Sequence, residues 1–160
     1  TFKKPRDAGL FNLPVLVVTS SFMTYKTKNN PRGVYAGRSL TGLGLFAAAP
    51  FKRGQKIIEY KGPLLSAEEA EDISPNRYLF DVNSRWTIDG RGRDNTARYA
   101  NHSCRPNAET VIRGKRVFIL AKKKITPGEE IVYDYGNEYF DEYIKKNNCR
   151  CPALTHGSLH

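Results

Sequence analysis

A succession of short β-type segments restricts the fold of this chain more than any other feature. Runs rich in Val, Ile, Leu and aromatic residues recur between turns containing Gly, Pro or Asn. They predict strands over Gly33–Arg38, Leu43–Ala47, Lys56–Tyr60, Tyr78–Val82, Arg85–Asp89, Glu109–Ile112, Arg116–Ala121 and Glu130–Tyr133. Tyr78–Val82 and Arg85–Asp89 are predicted to pair as a hairpin around an Asn83-Ser84 turn. We therefore expect a mainly β fold.

Helical patterns occur at only two places. Ser66 followed by Glu69 is typical of a capping box and predicts a short helix that ends near Ile73. Asn137–Lys146 carries apolar residues on one helical face, with acidic residues first and lysines last, which suits the helix dipole. The 160 residues are enough for one domain with one core.

The chain is strongly basic, with a net charge of +10. Such a charge indicates an acidic or nucleic-acid-associated partner, although solubility alone could explain it. Basic residues cluster only at Lys122–Lys124 and Arg113–Arg116, and no signature of a DNA- or RNA-binding module is present. The longest apolar run, Leu13–Val18, is interrupted by Pro14 and is far shorter than the roughly 20 residues of a membrane span. We expect no membrane partner.

Three local motifs carry candidate chemistry. Gly42-Leu43-Gly44 allows close approach of the backbone to a ligand, or is merely a tight bend. Ala97–Asn107 concentrates polar groups where a strand pattern ends, and by itself reads equally as a hydrogen-bonded turn with a structural His102. Tyr133 and Tyr135 would lie on one face of a strand, lining a polar slot or packing in the core.

The cysteines form a fourth motif. Three cysteines cannot all be paired in disulfides within one chain, and Cys149 and Cys151 form a C-x-C pair. Zinc takes four ligands, so Cys104 would be the third and His156 or His160 the fourth. The alternative is a tail with free thiols.

Taken together, the motifs have a specific order. Asn101-His102-Ser103-Cys104-Arg105-Pro106-Asn107 is followed by Gly128-Glu129-Glu130 and by Tyr133-Asp134-Tyr135-Gly136. This combination resembles the SET-domain family of protein lysine methyltransferases, with a likeness running from about Gly33 to Cys151. The resemblance implies a SET-domain, β-clip-like fold of several small twisted sheets with a pseudoknot where residues 101–107 meet residues 133–136. It also implies an N-terminal extension at 1–32, a SET domain at 33–136, and a helix with a post-SET-like tail at 137–160.

The resemblance further implies site residues. S-adenosyl-L-methionine would be bound by Gly42, Leu43, Gly44, Tyr78, Arg98, Asn101, His102 and Tyr135. Tyr135 matches the catalytic tyrosine, and Tyr60 and Tyr133 match positions that line a narrow channel for the substrate lysine. One structural zinc ion would be held by Cys104, Cys149, Cys151 and His156. Because the third cysteine usual in such a tail is missing, the alternatives of one zinc ion and none stay open.

The implied activity is methyl transfer to the ε-amine of a lysine in a protein, either a histone or another basic chromatin protein. Tyr133 predicts mono- or dimethylation, because its hydroxyl leaves less room for a methylated amine. The rival interpretations are a catalytically weak module that binds chromatin or nucleic acid, a methyltransferase for a ribosomal or bacterial chromosomal protein, and a small zinc-binding interaction domain. We expect an intracellular protein: at chromatin in the nucleus of a eukaryote, or in the cytoplasm, at the nucleoid or as a secreted effector in a bacterium.

Overall fold

The computed structural model describes residues 33–73, 75–145 and 149–153. In these residues the chain forms strands β1 (Val34–Ser39), β2 (Gly42–Ala47), β3 (Lys56–Tyr60), β4 (Leu64–Ser66), β5 (Leu79–Asn83), β6 (Trp86–Asp89), β7 (Asn101–His102), β8 (Ala108–Arg113), β9 (Arg116–Ala121) and β10 (Glu130–Tyr133). The helices are α1 (Ala67–Asp72), a 3-10 turn (Thr96–Tyr99), and α2 (Asn137–Tyr139), which continues as a π-helix (Phe140–Ile144). His156 and residues 1–32 lie outside the described residues. No described helix has the length and hydropathy needed to cross a membrane.

The strands form three small sheets. Their orders are β1-β2-β10-β7, β3-β9-β8 and β4-β6-β5. Only the pairing of β7 with β10 is parallel among the described pairs; the others are antiparallel. The predicted fold class, mainly β with several small sheets and few short helices, is confirmed.

One apolar core joins the three sheets. Leu45 on β2, Ile119 on β9 and Ile131 on β10 are completely buried in it. Burying each such side chain stabilises the fold by roughly 1.5–3 kcal/mol relative to leaving it in water. The core therefore fixes the position of β10, which ends at Tyr133, two residues before Tyr135.

Local predictions were mostly confirmed. The capping box is present, since the Ser66 Oγ accepts from the Glu69 N–H at 3.2 Å and the Ser66 N–H donates to the Glu69 carboxylate at 2.7 Å. The predicted turn of the β5–β6 hairpin was wrong by one residue: Asn83 pairs with Trp86, so the turn is Ser84-Arg85. A register shift between Asp81 and Asn83 explains the offset, because it lengthens β5 by one residue.

The polar segment 101–107 crosses the end of β10. Val132 pairs with Asn101, and the Ser103 N–H donates to the Tyr133 carbonyl at 3.0 Å. The buried Asn107 side chain joins the polar segment to the backbone of β10. Its Nδ2 donates to the Glu130 carbonyl at 2.8 Å, and its Oδ1 accepts from the Val132 N–H at 2.9 Å. The two segments thus meet, as the resemblance implied.

Candidate active site

A cleft of about 1310 Å³ opens where β7 and β10 end. Its lining includes predicted site residues from distant parts of the chain: Leu43, Tyr60, Tyr78, Arg98, Asn101, His102, Tyr133 and Tyr135. Clefts of roughly 300–1,000 Å³ bind small ligands, so this one can hold a ligand of cofactor size with space for a second group. The crossing of residues 101–107 with β10 is what brings these side chains together.

Three tyrosines line the cleft and differ in their hydrogen bonds: Tyr60 and Tyr133 are buried, and Tyr135 is partly buried. The Tyr60 hydroxyl donates to the Tyr78 carbonyl at 2.8 Å, and the Tyr135 hydroxyl donates to the Ala100 carbonyl at 2.7 Å. Among the described residues, the Tyr133 hydroxyl has no hydrogen-bond partner, and its ring lies 4.8 Å from that of Tyr135. The Tyr60 and Tyr135 hydroxyls can therefore only accept further hydrogen bonds in the cleft. The Tyr133 hydroxyl can both accept and donate.

All three phenols stay protonated at neutral pH. Burial raises the pKa of Tyr60, Tyr133 and Tyr135 above the ordinary value of 10.0, and neighbouring tyrosines add to the effect. These groups are hydrogen-bonding partners rather than bases.

The glycine turn is tied to the polar segment through Glu130. Asn101 Nδ2 donates both to the Leu43 carbonyl at 3.0 Å and to Glu130 Oε1 at 2.8 Å. The other Glu130 oxygen accepts from the Ser39 hydroxyl at 2.8 Å. A Cβ at Gly44 would lie 2.4 Å from Glu130 Oε1, so glycine is needed for this approach. Gly42 has a φ of 118°, which also favours glycine.

The predicted cofactor residues of the glycine turn and the polar segment therefore fall into two groups, those that line the cleft and those that shape the turn. Leu43 and Asn101 line the cleft, while Gly42 and Gly44 shape the turn behind it. Glu130 was missed as a site residue. It stands in the Gly-Glu-Glu motif, but only the tertiary structure shows that its carboxylate joins β1, the glycine turn and β7.

Arg98 occupies the edge of the cleft next to Tyr78. Its guanidinium lies 3.9 Å from the centre of the Tyr78 ring, an arrangement typical of a cation–π contact, and one of its terminal nitrogens donates to the Arg91 carbonyl. Its Nε is buried and has no hydrogen-bond partner among the described residues. An unsatisfied cationic donor of this kind suits an anionic group of a ligand.

His102 connects the cleft to the cysteines. Its Nδ1 accepts from the Tyr135 N–H at 3.3 Å, and its Nε2 lies 3.4 Å from Cys104 Sγ. Because Nδ1 accepts, the neutral ring carries its proton on Nε2 and donates to the sulfur. The side chain is 6% exposed. The predicted contact of His102 with the cofactor stays a prediction.

The three cysteines come together, as the metal prediction requires. Cys104 Sγ lies 3.8 Å from Cys149 Sγ, and the Cys104 N–H donates to Cys151 Sγ at 3.4 Å. Two sulfurs bound tetrahedrally to zinc at about 2.3 Å are separated by about 3.8 Å, so the spacing fits zinc. Burial raises the pKa of Cys149 to about 12. Burial also acts to raise that of Cys151, but hydrogen bonds led by the Cys104 N–H lower it to about 7.

Comparison with known proteins connects this site to a family. The family model described as "SET domain" matches residues 42–136, which include both segments that cross at the cleft. The chain is 39% identical over 143 residues to the histone-lysine N-methyltransferase trr of Drosophila melanogaster, covering 82% of this chain. It is 37% identical over 138 residues to the human histone-lysine N-methyltransferase 2D, covering 79% of this chain. The match spans only 6% and 2% of those two relatives.

The fold is also similar to a solved structure. A humanized mutant of the Chaetomium thermophilum Polycomb Repressive Complex 2, bound to an inhibitor, aligns with a TM-score of 0.61 and 32% identity, covering 66% of this chain and 15% of that one. The family match covers more than half of the sequence. This chain belongs to the SET-domain family, whose matched curated members are histone-lysine N-methyltransferases.

Proposed function

We propose that this chain transfers a methyl group from S-adenosyl-L-methionine to the ε-amine of a lysine in a protein, with a histone as the substrate. The observation that carries the proposal is the cleft itself, where Tyr60, Tyr133 and Tyr135 stand beside the contact between Asn101 and Leu43. The names of the curated relatives support the reaction and the substrate class. For a eukaryotic source, the place of action is chromatin in the nucleus.

The cleft has features that suit the cofactor. Arg98 Nε is a buried donor without a partner among the described residues, which fits a carboxylate. Leu43 is held in place at the cleft by Asn101, and Tyr78 offers an aromatic surface there. When bound, S-adenosyl-L-methionine supplies a methyl group attached to a positively charged sulfur. Gly42 and Gly44 shape the turn. We assign binding of the cofactor to the predicted residues that line the cleft: Leu43, Tyr78, Arg98, Asn101, His102 and Tyr135.

The tyrosines then act on the substrate amine. A lysine has a pKa near 10.4 in water, so neutralising it at pH 7 costs roughly 4.6 kcal/mol. A buried apolar channel lowers this cost, because desolvation disfavours the charged amine. The Tyr60 and Tyr135 hydroxyls direct their protons to the backbone, so their lone pairs can accept N–H groups of the amine and align it. Alignment of this kind contributes several kcal/mol to a displacement reaction.

Tyr133 sets the degree of methylation in this proposal. Its hydroxyl has no partner among the described residues, so it can hold a water molecule beside the amine. That water and the ring leave little room for an amine that already carries methyl groups. We therefore propose mono- or dimethylation as the main outcome.

We also propose one structural zinc ion at Cys104, Cys149 and Cys151, with His156 as the fourth ligand. The distance of 3.8 Å between the Cys104 and Cys149 sulfurs supports the proposal. Zinc there would join the tail to the segment 101–107, and so stabilise the side of the cleft on which His102 lies.

The function is tested with radiolabelled S-adenosylmethionine and purified histones, with bacterial nucleoid proteins and ribosomes as alternative substrates. We expect transfer to a histone, and a loss of about 100-fold in rate for Tyr135→Phe because the amine loses its aligning acceptor. Tyr35→Phe is the matched control, since Tyr35 packs on Phe46 in β1–β2 and does not line the cleft.

Calorimetric binding of the cofactor separates the alternatives. A chain that transfers methyl groups only to ribosomal or nucleoid proteins is a methyltransferase with another substrate. A chain that neither transfers methyl groups nor binds the cofactor contradicts the proposal and supports a non-catalytic binding module.

A further inference from the structure

Two loops that are far apart in the sequence place a basic surface away from the cleft. The first loop connects residue 51 to β3, and the second follows β9. Phe51 and Ile125 form a bridge with N–H to carbonyl distances of 2.9 and 3.0 Å, and the Ala121 N–H donates to the Gln55 carbonyl at 2.9 Å. The loops therefore run side by side. We call the exposed cations of these loops, together with Lys56 at the start of β3, the basic ridge: Lys52, Arg53, Lys56, Lys122, Lys123 and Lys124.

The positive charge of the ridge is largely uncompensated. None of its six cations forms an ion pair within the part of the chain that the structure describes. Of the nearby carboxylates, Glu59 is bound by Arg116 at 2.7 Å. Glu129 is held by the backbone and hydroxyl of Thr126, which lower its pKa, with a smaller contribution from Lys123.

We infer that the basic ridge binds the phosphate backbone of double-stranded DNA. This inference goes beyond the proposed methyl transfer, because no ridge residue lines the cleft. Duplex DNA carries one negative charge per about 1.7 Å of its axis, and Lys and Arg that neutralise phosphates release bound counterions. The six exposed cations of the ridge form no ion pair among the described residues, so they can neutralise such phosphates.

The composition of the ridge favours this partner over two others. The large exposed apolar residues of the described chain are Leu40, Leu43 and Ile112, and none of them belongs to the ridge. A protein partner would need an apolar anchor at the centre of the interface. A single-stranded nucleic acid would need exposed aromatic rings on which bases stack, and the aromatic residue between the ridge loops, Phe51, is buried.

The test is fluorescence anisotropy of the purified chain with a labelled DNA duplex, titrated at several sodium chloride concentrations. The ridge variant carries Lys122→Gln, Lys123→Gln and Lys124→Gln. Its matched control carries Arg38→Gln, Arg85→Gln and Arg93→Gln, which remove the same charge from exposed positions elsewhere. The readout does not involve methyl transfer, so it can fail or succeed independently of the proposed activity.

We expect the ridge variant to reduce the slope of log K against log salt concentration by about 2.7, from about 0.9 for each lost phosphate contact. The control should keep the wild-type slope. Equal weakening of both variants would overturn the inference, because net charge alone would then explain binding. Tighter binding of a single strand or of a poly-glutamate chain than of the duplex would overturn it too, as would absence of duplex binding at about 50 mM salt.

Discussion

Replacing Asn101 by Asp tests how the glycine turn is attached to the rest of the site. The wild-type amide donates to the Leu43 carbonyl at 3.0 Å and to Glu130 Oε1 at 2.8 Å. In Asn101→Asp the donor becomes a carboxylate that faces both a carbonyl and a second carboxylate. The change is nearly isosteric, so its effect comes from hydrogen bonding and charge rather than from volume.

The expected loss in the free energy of unfolding follows from the two hydrogen bonds of the Asn101 amide. A neutral hydrogen bond contributes about 0.5–1.5 kcal/mol and one to a charged group about 1.5–3 kcal/mol. Since Asn101 is only partly buried, the lower ends apply, and Asn101→Ala should lose about 2 kcal/mol in the free energy of unfolding. Asn101→Asp should lose more, because two carboxylates near 3 Å repel each other and solvent only partly screens them.

A second substitution provides the rescue. In Asn101→Asp with Glu130→Gln, the glutamine amide can donate to Asp while its oxygen still accepts from the Ser39 hydroxyl. Urea unfolding can be followed with the fluorescence of Trp86, the one tryptophan of the chain. We expect a coupling free energy of about 2 kcal/mol in favour of the double variant, and a parallel recovery of cofactor affinity in calorimetry. Additive losses, with coupling below about 0.5 kcal/mol, would refute the reasoning.

The remaining predictions concern the tyrosines and the cysteines. Tyr133→Phe should raise the fraction of trimethyl-lysine seen by mass spectrometry, because the unpartnered hydroxyl and its water are removed; a wild type that already yields mainly trimethyl-lysine contradicts this. The free energy of unfolding should fall by about 4 kcal/mol per pH unit above about pH 10, since three phenols ionise in the unfolded chain but stay protonated when buried. Urea titrations at rising pH measure that slope, and Tyr60→Phe should reduce it by about a third; an unchanged slope would disprove the assignment. Elemental analysis should find one zinc ion per chain, lost in Cys104→Ser, because Cys104 lies 3.8 Å from Cys149; metal-free wild-type protein would rule the site out.

Much of the fold could be predicted because its signals are local. The apolar run of β9 and the Ser66–Glu69 capping box act over a few residues, and both the strand and the capped helix were confirmed. The strands β4 and β7 were missed. β7 has only two residues, so its two-residue alternation cannot be recognised, and it exists because β10 offers it a parallel partner.

The candidate site, like the fold, could be predicted from the sequence only in part. The motifs around Asn101 and Tyr135 identified several of the residues that line the cleft, because their order along the chain is specific to one family. Sequence could not show that Glu130 holds Asn101, or that the Tyr135 hydroxyl donates to the Ala100 carbonyl. These contacts depend on segments that are distant along the chain and are brought together by the crossing at β10.

By itself, then, the sequence determined which short elements form, what charge the chain carries, and which family its motifs resemble. Tertiary structure decided which groups face one another: the phenol protons of Tyr60 and Tyr135 point to backbone carbonyls, while that of Tyr133 does not. It also decided that two separate runs of cations form one basic ridge. The physical reason is that propensity and periodicity act between neighbours in sequence, whereas hydrogen bonds, burial and charge act between neighbours in space.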